Sequence, residues 1–137
     1  MVNINNHLEV KAISESCQIL SDTLNKVEKN IFPGQSVLKL DKIAEDYIIS
    51  CNAKPAFKGY NGFPATLTVS IDDEIVHGIP KNMILKEGQI ISIDCGVIKN
   101  DFYSDSARTI AVGKISDEKQ RLLDVTKKAL DIGIQNA

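Results

Sequence analysis

The chain has 137 residues, a hydrophobic content of 43% and a formal net charge of −2. This length is typical of one domain, so we expect residues 1–137 to form a single domain. Because the charges are spread along the sequence without basic clusters, a nucleic-acid-binding surface is not expected and small or neutral partners are favoured. No apolar run approaches the roughly 20 residues that span a bilayer, and the N-terminus lacks the basic start of a signal peptide. These features favour a cytoplasmic location without a membrane partner.

The N-terminal third has the pattern of two helices. Between Leu8 and Ile31 the apolar residues recur at intervals of three and four, which predicts one long amphipathic helix. The segment FPGQS interrupts this pattern, because proline and glycine do not continue a helix comfortably. Ser36 is then the predicted N-cap of a second helix, whose apolar residues run from Leu40 to Cys51.

Residues 56–112 have the composition of strands, since β-branched and aromatic residues lie between glycines and prolines. Such runs, bounded by turn residues, are typical of short strands joined by turns. We predict strands within the segments FKGYNGFPATLTVSI, EIVHGIP, QIISIDCGVI and FYSDSARTIAVG.

The C-terminal segment returns to helical spacing after Ser116, the predicted N-cap, with acidic residues in the first turn. Because the apolar pattern continues past Gly133, we expect the boundary at Ala137 to cut through a larger fold. The residues predicted to form the buried side of this helix are Leu122, Leu123, Val125, Ala129, Leu130 and Ile132.

The three cysteines, Cys17, Cys51 and Cys95, are odd in number and far apart, and each has apolar neighbours. A disulfide framework or a CxxC metal site is therefore not expected. We predict that all three are reduced core residues, with Cys95 on the opposite strand face from its neighbour Asp94.

Asp94 and Asp105 lie within apolar, strand-like runs, and KND is the only turn-like point between them. A two-residue loop at 99–100 would pair Asp94 directly with Asp105, whereas a loop at 100–101 would leave them diagonal. Both registers keep the two carboxylates on one face, because the strand period is two. A loop of three residues would separate them.

Two carboxylates on adjacent strands repel each other, since facing side chains lie roughly 4.5–5.5 Å apart at Cβ. A shared proton or a cation between them would offset this repulsion. Oxygen ligands of this kind suit Mn, Fe, Zn or Co, and a bridging carboxylate can hold two metals about 3.5–4 Å apart. The alternative interpretation is that both aspartates face solvent and repel each other through water.

His77 follows DDEI and precedes GIP, at the end of an apparent strand where the chain turns. A lone histidine is more often a structural or surface residue than a catalytic one. At this position, however, a neutral imidazole could donate a hydrogen bond to a carbonyl oxygen or a developing oxyanion beside a metal.

Two spaced segments, GYNGFPATLTVSIDDEIVHGIP and ISIDCGVIKNDFYSDSARTI, resemble the first half of type I methionine aminopeptidases. PGQSVLKLDKIAEDYI is similar to the second helix of that family, and the resemblance extends over nearly the whole chain from about Leu8. It implies the N-terminal half of a pita-bread fold. This is an α+β fold, with a curved antiparallel sheet and two or three helices packed on one face.

The resemblance also implies roles for individual residues. The first half of that family supplies two metal-binding aspartates, one bidentate and one bridging, which correspond to Asp94 and Asp105. His77 corresponds to a histidine that contacts the substrate and helps to stabilise the tetrahedral intermediate. A further set corresponds to the pocket for the methionine side chain, with core packing as its alternative interpretation. These residues are Phe57, Tyr60, Phe63 and Thr68.

The implied activity is removal of the initiator methionine from nascent proteins, by a hydroxide that two divalent metal ions (Co, Mn, Fe or Zn) activate. The implied partners are N-terminal methionyl peptides. The family takes its other ligands, one histidine and two glutamates, from a second half that corresponds to nothing in residues 1–137, and His7 lies on the N-terminal extension. We therefore expect this chain alone to bind metal weakly or partially and to be inactive.

Three alternatives remain. Ser104 stands where the family usually has glycine, and YSDSARTI is similar to the related Xaa-Pro aminopeptidases. VHGIP and the short N-terminal extension favour methionine aminopeptidases, because the proline-specific relatives usually carry a large extra N-terminal domain. The second alternative is a non-catalytic pita-bread binding module, although such modules generally lose the metal ligands. The third is a half-domain that self-associates through an exposed apolar sheet face.

Overall fold

The computed structural model describes residues 6–137, so the first five residues of the predicted N-terminal extension lie outside the described part. Helix α1 spans His7–Glu28, and its N-cap is Asn6, whose side chain accepts hydrogen bonds from the backbone N–H groups of Leu8 and Glu9. The Glu9 carboxylate accepts a bond from the Asn6 backbone in return, which completes a capping box. The predicted first helix is confirmed, although Ile31 lies beyond its end.

Helix α2 spans Val37–Ser50, and Ser36 is its N-cap as predicted. The Ser36 side chain makes no capping hydrogen bond. The entry to α2 is held instead by the segment around Leu85, because the Gly34 N–H donates to the Leu85 carbonyl and the Val37 N–H donates to the Met83 carbonyl. None of the helices in residues 6–137 is long and apolar enough to cross a membrane.

The sheet is antiparallel and is built around one long strand. After the two-residue β1 (Lys54–Pro55), the strands are β2 (Leu67–Ile71), β3 (Ile90–Lys99) and β4 (Phe102–Ala111). Strand β3 is central, because it pairs with β1, β2 and β4. The observed α+β arrangement with an antiparallel sheet confirms the predicted class.

The two faces of this sheet differ in composition, since alternate residues of a strand point to opposite sides. The face that packs on α1 and α2, which we call the helix face, carries the odd-numbered residues of β2 and β3. The other, which we call the pocket face, carries Thr68, Asp94 and Asp105. The largest fully buried side chains of the core are Leu24, Leu40, Ile48, Leu67, Leu85, Ile91 and Ile93.

Helix α3 spans Asp117–Gln135, and its predicted N-cap is confirmed because the Ser116 side chain accepts a bond from the Lys119 N–H. The predicted buried side of this helix is wrong. No residue of α3 is buried, and Leu122, Leu130 and Ile132 are at least half exposed. The physical reason is that no element within residues 6–137 covers this side of the helix, so its apolar periodicity has no partner. The other residues of that predicted side, Leu123, Val125 and Ala129, are half-buried or exposed.

The predicted strand EIVHGIP is also wrong. Residues 72–89 form turns and irregular structure with only an isolated bridge between Ile84 and Ser36. Asp72 and His77 both have positive φ angles, which are incompatible with a continuous strand. His77 therefore lies in a loop and not at the end of a strand.

The cysteine prediction is partly wrong. Cys95 is fully buried and on the helix face, as predicted, whereas Cys17 is exposed and Cys51 is half-buried. The helical period explains the exposure of Cys17. Ser16 and Leu20 lie on the side of α1 that faces the sheet, whereas Cys17 lies outside that buried side. Burial raises the pKa of the Cys95 thiol to about 12, so this sulfur stays protonated at neutral pH.

Candidate active site

The β3–β4 hairpin sets the position of the two aspartates. Asn100 and Asp101 have φ angles of 51° and 64°, the backbone of a two-residue hairpin turn in which both residues are left-handed. The turn pairs Lys99 with Phe102, and the same register pairs Gly96 with Asp105. Of the two predicted registers, the one with the loop at 100–101 is therefore confirmed. Asp94 and Asp105 are diagonal neighbours on the pocket face.

Asp94 also faces β2, where Thr68 is its direct cross-strand partner. The carboxyl group of Asp94 is partly buried, whereas Asp105 is exposed. Burial, followed by hydrogen bonding to Asp105 and the negative charge of that residue, raises the pKa of Asp94 to about 6. The Cys95 N–H and the charge of His77 act in the opposite direction. The pocket face thus holds a carboxyl group in an unfavourable environment.

The unfavourable environment fits a cation site. Oδ1 of Asp94 is buried and has no hydrogen-bond partner among the described residues. A buried oxygen without a partner is destabilising, and a cation between two carboxylates would satisfy it and remove their repulsion. The two oxygen donors suit a hard or borderline divalent ion. Within residues 6–137, however, no third histidine, cysteine, aspartate or glutamate joins them to form a group of three that could hold a metal.

A cavity of about 550 Å³ opens beside the two aspartates. Its wall is mainly apolar and aromatic, with a few polar groups at one end, which is the usual composition of a small-ligand site. All seven residues that the sequence suggested line this cavity: Phe57, Tyr60, Phe63, Thr68, His77, Asp94 and Asp105.

The aromatic wall of the cavity is a loop with several left-handed residues. Gly59, Asn61 and Gly62 all have positive φ, so the chain turns tightly between Phe57 and Phe63. The Gly59 N–H donates to the Phe63 carbonyl across the base of this turn at 2.8 Å. The turn brings the two phenylalanines to the same cavity, with Tyr60 at the rim.

Asp41 of α2 anchors the end of this loop. Its Oδ1 accepts hydrogen bonds from the backbone N–H groups of Thr66 and Leu67, at 2.9 and 2.8 Å. Burial is the largest influence on this carboxyl group and raises its pKa, although the two N–H donors oppose the shift. The ion pair between Lys58 and Glu45 holds the other end of the loop at 2.6 Å. The aromatic wall is therefore fixed to α2 at both ends.

Gly96 shapes the floor of the cavity. A Cβ atom at this position would lie 2.7 Å from Cε1 of Phe57 and 2.8 Å from Cβ of Ala56. The Ala56 N–H also donates to the Gly96 carbonyl at 2.9 Å. The ring of Phe57 thus lies over Gly96, the cross-strand partner of Asp105, where a side chain would displace it.

Four cavity residues were not among the residues suggested by the sequence: Asn61, Gly62, Pro64 and Ile79. All four lie inside GYNGFPATLTVSIDDEIVHGIP, a segment that carried the resemblance, so the segment contained the signal although these residues were not singled out. Ser104, which differs from the family pattern, lies on the opposite side of the sheet. Its hydroxyl contacts that of Ser16 of α1 at 2.9 Å, so it does not line the cavity.

Residues 11–137 match the model of metallopeptidase family M24. The chain is similar to the methionine aminopeptidase of Clostridium acetobutylicum, with 46% identity over 138 residues, which cover 100% of this chain and 55% of the relative. It is also similar to that of Borreliella burgdorferi, with 50% identity over 92% of this chain and 50% of the relative. The chain therefore spans about half the length of the curated relatives that it matches.

The structure is similar to the crystal structure of methionine aminopeptidase from Thermotoga maritima, with a TM-score of 0.92 and 31% identity. The match covers 96% of this chain and 53% of that structure. It confirms the predicted pita-bread fold. Prolidase from Pyrococcus furiosus matches with a TM-score of 0.81 at 22% identity, and this likeness concerns the fold alone.

Proposed function

The chain belongs to metallopeptidase family M24, and from this membership we propose that it is part of a methionine aminopeptidase, which removes methionine from the N-termini of nascent proteins. The observation that carries the proposal is the cavity. Four residues suited to an apolar side chain and three suited to catalysis line the same space of about 550 Å³. A methionine side chain fits the aromatic end, and the scissile peptide then lies near the aspartates.

Each group has a separate role in this proposal. Asp94 and Asp105 would hold divalent cations, two in the complete enzyme and drawn from Co, Mn, Fe or Zn, which supply Lewis-acid chemistry when bound. His77 donates a hydrogen bond towards the substrate carbonyl and its developing negative charge. The apolar wall formed by Phe57, Tyr60 and Phe63 excludes water and binds the methionine side chain, while Thr68 closes the wall beside Asp94.

The small number of ligands also limits what the chain can do by itself. Two carboxylates leave a divalent ion with too few protein ligands, and the described residues contain no group of three candidate ligands. The 137-residue chain alone therefore binds Mn²⁺ or Co²⁺ weakly and does not turn over. Tight stoichiometric metal binding together with hydrolysis by the pure chain would contradict this part of the proposal.

The proposed location is the cytoplasm.

We also propose that the isolated chain self-associates. The sequence suggested an exposed apolar sheet face for this, but α1 and α2 cover the apolar face of the sheet. Helix α3 instead exposes Leu122, Val125 and Leu130, and apolar surface of this kind favours association. Sedimentation velocity over a range of protein concentrations tests this. A mass that stays monomeric at all concentrations would exclude self-association.

A peptide titration followed by NMR tests the substrate. We expect Met-Ala-Ala to shift the side-chain signals of Phe57 and Phe63, and N-acetylated Met-Ala-Ala and Ala-Pro-Ala to shift them less. Phe63→Ala should weaken the response to Met-Ala-Ala. Phe32→Ala is the matched control, because Phe32 is an exposed phenylalanine that does not line the cavity. A stronger response to Ala-Pro-Ala would overturn the proposal in favour of an Xaa-Pro aminopeptidase, and no response to any peptide would favour a non-catalytic module.

A further inference from the structure

The loop that carries His77 has a backbone conformation that needs support. His77 has a φ angle of 59°, in the left-handed region that residues other than glycine seldom adopt. Such conformations persist only where the surrounding structure fixes them, and they concentrate at functional sites. Loop residues Ile75 and Val76 are exposed, so burial of their side chains does not hold the loop. The support therefore comes from elsewhere.

The support is on strand β2, at the residue that follows His77. The Val69 N–H donates a hydrogen bond of 2.8 Å to the Gly78 carbonyl. The Gly78 N–H in turn donates to Oγ of Ser70 at 3.3 Å. Both backbone polar groups of Gly78 are thus bonded to β2, while the neighbouring His77 side chain reaches the cavity.

The backbone at Gly78 also lies so close to β2 that a residue with a Cβ atom does not fit there. A Cβ atom at position 78 would lie 2.1 Å from the carbonyl oxygen of Val69 and 2.9 Å from its carbonyl carbon. It would also lie 3.1 Å from Oγ of Ser70. The first two atoms belong to the backbone of a sheet strand, which cannot move aside as the end of a flexible side chain can.

Ser70 is well placed to act on His77 through this contact. It lies on the same side of β2 as Thr68, two residues along the strand, and Thr68 lines the cavity. Ser70 is 4% exposed, so its hydroxyl is sheltered from competition with water. Its cross-strand partner is Ser92, whose hydroxyl bonds to Thr109 and not to the loop.

We propose that Ser70 and Gly78 are positioning residues, which lock the 77–78 backbone onto β2 and thereby hold the His77 imidazole at the cavity beside Asp94 and Asp105. The catalytic role of the positioned His77 rests on the function proposed above. The positioning itself is independent of that function. Ser70 does not line the cavity, and its hydroxyl contacts the loop at the Gly78 N–H.

The test follows the conformation of His77 in the 137-residue chain by NMR. The nuclear Overhauser effect between the amide and α protons of one residue is strong when φ is positive, so it reports the left-handed state of His77. We expect Ser70→Ala to weaken this effect, to shift the imidazole signals of His77 and to increase hydrogen exchange at the Val69 amide. Ser70→Thr keeps the hydroxyl oxygen and should restore the wild-type signals.

Ser92→Ala is the matched control, since it removes a hydroxyl from the neighbouring position on the same face without touching the loop. It should leave all His77 signals unchanged. If Ser70→Ala gives wild-type His77 signals, or if Ser92→Ala changes them equally, the proposal is overturned. Should Ser70→Ala fail to fold, Gly78→Ala provides an independent test, because its Cβ collides with the strand whether or not Ser70 is present.

Failure of the proposed function has a different signature. In that case Met-Ala-Ala leaves the signals of Phe57 and Phe63 unchanged in the wild-type chain, while the variants at 70 and 78 still alter the amide signals of His77. Loss of peptide binding and loss of the His77 conformation are therefore separate results.

Discussion

The two faces of the β3–β4 hairpin differ in how well their polar groups are satisfied. On the helix face Ile93, Cys95 and Val97 are fully buried, and the buried Ser104 hydroxyl contacts that of Ser16. On the pocket face, Asp94 keeps a buried oxygen that has no hydrogen-bond partner within residues 6–137, and it lies diagonal to a second carboxylate. One pair of strands thus carries a stabilising face and a destabilising face. A polar arrangement that weakens the fold is best explained by a ligand that it binds.

The largest expected effect is on the helix face. Ile93→Ala removes a fully buried side chain and should lower the free energy of unfolding by about 2–5 kcal/mol. Urea denaturation followed by circular dichroism measures this. Ile75→Ala is the control, since Ile75 is 87% exposed and its truncation should have little effect. Equal effects at both positions would contradict the distinction between packed and unpacked residues.

A valine at position 96 tests the packing of the pocket face. Gly96→Val forces the Phe57 ring and Ala56 away from β3 and should lower the free energy of unfolding by about 1–3 kcal/mol. In a Phe57→Ala background the same substitution should be less destabilising, because only the contact with Ala56 remains. An equal loss in both backgrounds, measured by urea denaturation, would show that Phe57 does not lie over Gly96.

The hydroxyl pair between α1 and β4 should have a smaller effect. Ser104→Ala removes the contact with the Ser16 hydroxyl and a longer one of 3.5 Å to the Val97 carbonyl, but leaves Ser16 bonded to that carbonyl at 3.0 Å. We expect a loss of about 0.5–1.5 kcal/mol in the free energy of unfolding. Peptide binding should be unchanged, because Ser104 faces away from the cavity. A change in the NMR response to Met-Ala-Ala would contradict this separation of the faces.

Asp105→Asn, unlike the substitutions above, should make the fold more stable when no metal is bound. In the presence of EDTA it removes a negative charge diagonal to Asp94, so the free energy of unfolding should rise by about 0.2–1 kcal/mol. The same substitution should weaken Mn²⁺ binding. Thermal denaturation with EDTA provides the measurement. A destabilised variant would mean that the metal-free carboxylates do not repel each other.

Asp72, in contrast to Asp94, is a carboxylate whose oxygens have hydrogen-bond partners. Its substitution should have the smallest effect on stability. Burial raises its pKa, but bonds from Lys119, the Ile90 N–H and Gln89 outweigh this, and the net shift is downward. A lowered pKa stabilises the fold above the pKa of the unfolded chain, and this contribution disappears as the pH falls through the folded pKa. Asp72→Asn should therefore be slightly destabilising at pH 7 and equal to the wild type in strong acid, because exposed ion pairs contribute little. A difference that grew towards low pH in urea denaturation would contradict this sign.

The sequence predicted the elements whose patterns are local. Ser36 and Ser116 are N-caps as predicted, and the Ser116 side chain makes a short-range capping hydrogen bond. The strand period of two placed both aspartates on one face in either register. The choice of register was not predictable, because it depends on which two residues of the turn adopt positive φ. Asn100 and Asp101 do so here.

The wrong predictions concern properties that depend on distant partners. The apolar side of α3 follows a helical period, but periodicity does not reveal whether another element covers it. EIVHGIP has the composition of a strand, yet among the described residues it bonds to β2 only through Glu74 at Ile71 and through Gly78 at Val69 and Ser70. The orphaned oxygen of Asp94 and the close approach of Gly78 to β2 were likewise invisible, since both depend on three-dimensional neighbours.

A Mn²⁺ titration is the most direct test of the central claim that the pocket-face carboxylates form part of a cation site. Free Mn²⁺ is measured by electron paramagnetic resonance with the wild-type chain, Asp94→Asn, Asp105→Asn and the control Asp72→Asn. We expect weak, saturable binding to the wild type and to Asp72→Asn, and loss of that binding in both pocket-face variants. Binding that is the same in all four proteins would contradict it.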